Sequence, residues 1–227
     1  MKPKRTNQQE QATKVPKLHL QKENFTQLGS TNFYHSVGGK AISELTLVSL
    51  RFDDIFLEIK FECLDNPRMD QNYYTQNNQP LFEQEVFEIF ISQGSAAKET
   101  YWEIQLNPNN ALFVAQVRNN FKTDQRFHLT MIDNEKAQIE HHVVKDKGNN
   151  SWKGHLKIPL KLIEDQKEKE KNVYRMNLFR IISNKDQDDP KWQNNAENAT
   201  FACWNSPMTE TPNFHKPEAF GILFTQK

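Results

Sequence analysis

Apolar and polar side chains alternate with a period of two along much of this chain, the pattern of strands that bury one face. The clearest case runs from Phe56 to Cys63, with Leu57, Ile59, Phe61 and Cys63 on one side and Phe56, Glu58, Lys60 and Glu62 on the other. Leu18 and Leu20 alternate as a short strand would, and Leu45, Leu47 and Val48 predict a half-buried strand over residues 44–50. Trp102, Ile104 and Leu106 share a face, and the turn residues Asn107 to Asn110 lead into a returning strand over 111–117, which makes a hairpin. Weaker strands are expected over 127–132 and 139–144. Stronger ones are expected over 152–158, 173–182, 200–204 and 221–225. Helical periodicity is almost absent; Pro159 can open one short helix over Leu160 to Ile163. Strands at this spacing, separated by turn residues, predict an all-β antiparallel sandwich, jelly-roll-like, with one short helix.

The chain is organised around residues 80–91, where Phe82 and three carboxylates (Glu83, Glu85 and Glu88) meet a run of buried-strand residues. Acidic side chains inside a strand must face solvent or find partners, so such a gathering marks a candidate site. The long polar connection over 64–79 feeds directly into it, and loops of that length are commonly functional. A second polar connection, over 183–198, precedes the strand that ends at Trp204.

With 227 residues the chain can bury a substantial core, and the division expected is a disordered tail over 1–16 followed by one domain over 17–227. Lys and Arg number 29, as do Asp and Glu, so no basic excess points to nucleic acid or an anionic membrane. No apolar run approaches the length of a membrane span. The N-terminus begins with positive charge but has no apolar core, so it does not read as a secretory signal. The chain as it stands is therefore expected in the cytoplasm, and outside the cell if a leader has been removed. Cys63 and Cys203 lie in strand-like runs. Two buried free thiols are the favoured reading and a bridge between the strands is the alternative.

Trp204 ends a strand and is followed by Asn205, Ser206 and Pro207, an arrangement that sets a flat apolar ring beside polar groups. Sugars suit such surfaces, because their C–H faces stack on aromatic rings while their hydroxyls seek carboxylates and amides. Phe82 could supply an opposing ring. Glu88 shares a strand face with Val86 and Phe90 and therefore needs a partner, for which Arg175 and Arg180 are the available cations.

Five segments, in register over roughly residues 45–224, resemble family 9 carbohydrate-binding modules. Residues 80–91 are similar to that family's Leu-Trp-x-x-Asp-x-Val-Glu-Ile-Phe-Leu segment, and residues 101–108 to its tyrosine strand with an Asn-Pro turn. Trp152 with Ile158 and Pro159, the strand from Tyr174 to Ile181, and the closing run from Ala202 to Gly221 follow in the family's order. The resemblance implies a jelly roll that holds the end of a saccharide between two aromatics, here Phe82 and Trp204, without cleaving it. It also implies ligand contacts from Glu85, Glu88, Asn177, Arg180 and Asn205. Phe82 stands where the family often has Trp, and Glu103 where some sugar-binding members carry a basic residue. No cofactor is implied beyond structural calcium, for which Asp53, Asp54 and the acidic loop Asp186, Asp188 and Asp189 offer oxygen ligands.

Three alternatives stand beside this reading. Glu83, Glu85 and Glu88 are spaced somewhat like the acidic triad of family 16 glycoside hydrolases, whose retaining chemistry needs two carboxyls about 5 Å apart. A haem-binding relative would need a Met and His pair, such as Met69 or Met176 with His128, His141, His142 or His155. The third alternative is an interaction module that binds no sugar.

Overall fold

The computed structural model describes residues 15–22, 24–29, 32–119, 127–186 and 197–225. Period-two alternation emerges as strands: β1 (Lys17–Leu20), β2 (Thr26–Gln27), β3 (Tyr34–His35), β4 (Thr46–Phe52), β5 (Phe56–Cys63), β6 (Val86–Gln93), β7 (Thr100–Leu106), β8 (Leu112–Asn119), β9 (Phe127–Met131), β10 (Glu140–Asp146), β11 (Ser151–Pro159), β12 (Val173–Ser183), β13 (Ala199–Cys203) and β14 (Gly221–Thr225). The expected helix is present as α2 (Leu160–Ile163), after Pro159; a second short one, α1 (Asn134–Ala137), lies between β9 and β10. Residues 81–83, expected at the head of a strand, instead form a 3₁₀ turn (Leu81–Glu83), and β6 starts only at Val86. Pro80 cannot donate to a ladder, and the turn tips Phe82 out of line with the strand.

The strands form two sheets. The larger follows the order β1-β14-β12-β6-β7-β8-β9, with β13 and β3 continuing from β12; the smaller follows β10-β11-β5-β4-β2. All pairings between named strands are antiparallel except β1 on β14. The all-β sandwich is as the alternation predicts.

One apolar cluster lies between the sheets. Phe61 of the smaller sheet stacks on Phe87 of the larger, ring centroids 3.8 Å apart, and Trp152 meets Phe61 edge-on at 5.1 Å. Gly154, opposite Phe61 in the register, leaves the room that this ring fills. Full burial of such side chains stabilises by roughly 1.5–3 kcal/mol each.

A second apolar cluster covers the other face of the larger sheet. It holds Val86, Phe90, Tyr101, Phe113, Phe179, Ile181, Cys203, Phe214 and Phe220, with Tyr74 and Phe201 packed against it. Much of the central sheet is therefore buried on both faces, which gives β6 and β12 near-continuous buried runs. Cys63 and Cys203 are buried free thiols, one in each cluster, so the bridge is not formed. The charge run over 165–171 is an exposed connection, as its composition suggests.

Candidate functional site

The second face of the larger sheet carries a groove of about 410 Å³. Its floor is Glu88 and Phe90 of β6, Glu103 of β7 and Ile181 of β12. Phe82, Phe201 of β13, and Phe127 and Leu129 of β9 also line it, together with residues 211–215 of the segment before β14. Phe82 is 42% exposed, a large apolar ring left open to water beside the cavity. That segment is held firmly. Phe214 stacks on Phe179 at 4.2 Å, His215 stacks on Phe127 at 3.7 Å, and the Tyr101 hydroxyl meets His215 Nδ1 at 2.8 Å. Burial drives the His215 pKa down to about 3, so the ring is neutral and serves as an anchor, the role its loop context suggests.

Two carboxyls sit in the groove floor. Glu88 pairs across the strands with Gln105, and Phe90 with Glu103, so Glu88 and Glu103 are diagonal neighbours on one face. They are only 2% and 4% exposed. Gln105 Nε2 donates to Glu103 Oε1 at 2.6 Å, while Glu88 Oε1 and Glu103 Oε2 have no hydrogen-bond partner among the described residues. Burial, then repulsion from Glu103, raises the Glu88 pKa well above the ordinary carboxylate range. Burial pushes Glu103 up to about 7, with the Gln105 hydrogen bond pulling the other way. Two like charges this close ionise in two steps, and the pair holds on to its last proton.

The expected clamp of Phe82 and Trp204 is not assembled. Trp204 is 8% exposed and belongs to the cluster between the sheets, its ring laid over Gly221 of β14. It borders a different cavity, shared with Pro16, Leu18, Tyr34 and Asn205. The alternation in β13 is as read: Phe201 and Cys203 share one face and Trp204 takes the other. Both faces of this sheet are covered, however, so the side of Phe201 is the one that opens onto the groove.

Glu85 and Arg180 are also corrected. Register puts Arg180 opposite Phe87 and Phe179 opposite Glu88, so Arg180 lies between the sheets while Glu88 lies on the far face. Arg180 Nε donates to Glu85 Oε1 at 2.9 Å, and both side chains are 0% exposed. The Trp152 indole donates to the same oxygen at 3.0 Å; the remaining guanidinium donors reach Leu45 O at 3.0 Å and Leu64 O at 2.8 Å. Burial raises the Glu85 pKa, against the pull of Arg180 and Trp152. Arg175, the other cation considered for Glu88, donates to the carbonyls of Ser95, Pro217, Glu218 and Phe220. Asn177 and Asn205 hold backbone: Asn177 Nδ2 donates to Asn205 O at 2.8 Å, and Asn205 Nδ2 to Ala219 O at 2.7 Å. Of the seven side chains expected to touch ligand, the groove contains Phe82 and Glu88. Phe201 and Phe127 line the groove without being singled out by the sequence, where Glu103 stands out only as a departure from the family. The available signal was the placement of Glu88 with Phe90, and Glu103 with Tyr101, on the alternate face of adjacent strands.

The hydrolase triad is not formed either. Glu83 accepts the Tyr74 hydroxyl at 2.5 Å, Glu85 points between the sheets, and Glu88 faces the groove. The described calcium donors are each engaged elsewhere. Asp53 accepts the backbone amides of Ile55 and Phe56, Asp54 pairs with Lys22 at 2.8 Å, and Asp186 pairs with Arg68 at 3.1 Å. Asp188 and Asp189 lie outside the described residues, among which no cluster of three metal-ligating side chains occurs. Met69 and Met176 are packed in the apolar cluster between the sheets, while His155 pairs with Glu58 and His141 meets Asn110. No described helix is long and apolar enough to cross a membrane.

No family model matches the chain. It is 29% identical over 189 residues, 81% of its own length and 80% of the relative's, to a protein of Arthroderma benhamiae named "Extracellular protein". Its fold matches a structure from Bacteroides uniformis to which carbohydrate binding is provisionally ascribed, with a TM-score of 0.63, 12% identity, and coverage of 94% of this chain and all of the other. It also matches a family 9 carbohydrate-binding module of Caldicellulosiruptor kristjanssonii. One family 9 module structure from that organism holds glucose (TM-score 0.54, 10% identity, 92% and 95% covered) and one holds cellotriose (TM-score 0.52, 10% identity, 92% and 93% covered). The chain has the β-sandwich fold of the family 9 carbohydrate-binding modules.

Proposed function

We propose that this protein binds a saccharide, without cleaving it, in the groove floored by Glu88 and Glu103 and lined by Phe82 and Phe201. The observation that carries the reading is the open Phe82 ring beside two buried carboxyls with unpartnered oxygens. Rings of that kind stack on the C–H faces of a pyranose, and carboxyl oxygens take up its hydroxyls. The cavity is of the size that a small ligand occupies. Binding of glucose and cellotriose by modules of the same fold supports the assignment. The extracellular relative supports a secreted protein rather than a cytoplasmic one.

Titration calorimetry with a panel of mono- to trisaccharides tests the proposal. Phe82→Ala or Phe201→Ala should weaken binding by about ten-fold or more, since losing one stacked ring is worth on the order of 1.4 kcal/mol. Phe82→Trp should tighten it by widening the stacking face. No reducing ends should appear on prolonged incubation. A panel without binding, or binding indifferent to both phenylalanines, refutes the groove as the site.

A further inference from the structure

We infer that the groove selects amine-bearing saccharides, those with a free protonated amino group, over neutral and acidic sugars, because a cage of aromatic rings closes over two buried carboxyls with no cation among the described residues lining it. This inference rests on the groove being the saccharide site.

Among the described residues, the charge-bearing side chains that line the groove are one-sided. Its titratable lining is Glu88, Glu103 and His215, and His215 is a neutral anchor bonded to Tyr101. Among the described residues, no Lys or Arg lines it. The nearby cations are committed elsewhere: Arg180 to Glu85 between the sheets, Arg175 to backbone carbonyls. Two carboxyls buried with unsatisfied oxygens are costly as a structural device, the more so once ionised, and call for an external counter-charge or donor. A neutral hydroxyl offers a single donor and leaves the charge unbalanced. An ammonium offers three donors and the balancing charge at once. The ring walls add to this, since aromatic faces attract cations strongly where water is excluded. Phe82, Phe90, Phe127, Phe201 and Phe214 are the aromatic rings among its lining. A uronic acid would bring a third carboxylate into the same space and is disfavoured. Burial and mutual repulsion keep a proton on the pair near neutral pH. An entering ammonium favours its release, so binding is accompanied by proton loss to buffer.

The test compares, by titration calorimetry of the full chain at pH 6.5, a fully deacetylated glucosamine trisaccharide, its N-acetylated counterpart and cellotriose. The deacetylated ligand is expected to bind about ten-fold or more tighter than either neutral one. The measured heats should depend on buffer ionisation enthalpy. Glu103→Gln should abolish the preference by weakening the deacetylated ligand more than either neutral one, and Lys98→Ala, at a side chain that pairs with Asp165 and Glu168 and does not line the groove, should leave all three affinities unchanged. Should Glu103→Gln fail to fold, Glu88→Gln provides the same comparison. If cellotriose binds as well as the amine, or the preference survives Glu103→Gln, amine selection is overturned while saccharide binding stands. If none of the three binds, both are overturned.

Discussion

The buried Glu85–Arg180 pair makes the sharpest separation between a scaffold role and a ligand role. Both side chains are fully enclosed between the sheets, and Arg180 reaches the carboxylate, two backbone carbonyls and, at 3.4 Å, the Thr46 hydroxyl. Glu85→Gln would leave a guanidinium in the core with no counter-charge. Arg180→Met would leave a carboxyl there, beside the Trp152 indole. Removing one partner of such a pair typically costs about 3–5 kcal/mol. For a chain of this size, that lowers the melting temperature by about 10 °C or more. The two variants differ in one respect. The stranded Glu85 can take up a proton, so the Arg180→Met penalty shrinks in acid, while the Glu85→Gln penalty has no such escape and stays flat. The double variant, Glu85→Leu with Arg180→Met, should cost about as much as one single change, with the remainder reflecting the orphaned carbonyls of Leu45 and Leu64. Urea denaturation of the four proteins at pH 5 and pH 7 measures this directly. Losses below about 1 kcal/mol for both single variants, or losses that simply add, would refute a buried interlocked pair. Saccharide affinity in the folded fraction should be unaffected.

The groove carboxyls make the opposite kind of prediction. Their folded pKa values are raised, so they contribute stability that is whole below the unfolded value near pH 4.5 and fades as pH climbs through about 7. For Glu103 the span from 4.5 to about 7 corresponds to about 3 kcal/mol. Melting temperature should therefore fall between pH 5 and pH 8, and Glu103→Gln should flatten that slope and stabilise the protein at pH 8; a flat wild-type profile would contradict it. Gly154→Ala should destabilise by about 1–3 kcal/mol in chemical denaturation, because the added methyl meets the Phe61 ring that fills the space. Both cysteines should resist a thiol reagent in the native state and react only in denaturant, since burial raises both thiol pKa values. Rapid native labelling at either position would contradict the packing around it.

Strand identity needed only local information. The alternation in β5, β7 and β11, the Asn-rich turn before β8 and the helix after Pro159 are set by side-chain period and turn chemistry, which are written into consecutive residues. The same alternation correctly separated Phe201 and Cys203 from Trp204. It could not say which side was core, because parity is indifferent to what the rest of the chain lays over each face. The segment bearing Phe214 and Phe220 covers one side of the larger sheet and the smaller sheet covers the other, so β6 and β12 bury both. That packing sent Trp204 inward, turned Phe201 to the groove and gave Arg180 to Glu85 rather than Glu88. Residues in one strand settled which side chains travel together; contacts between residues about a hundred positions apart, as between Glu85 and Arg180, settled where they arrive.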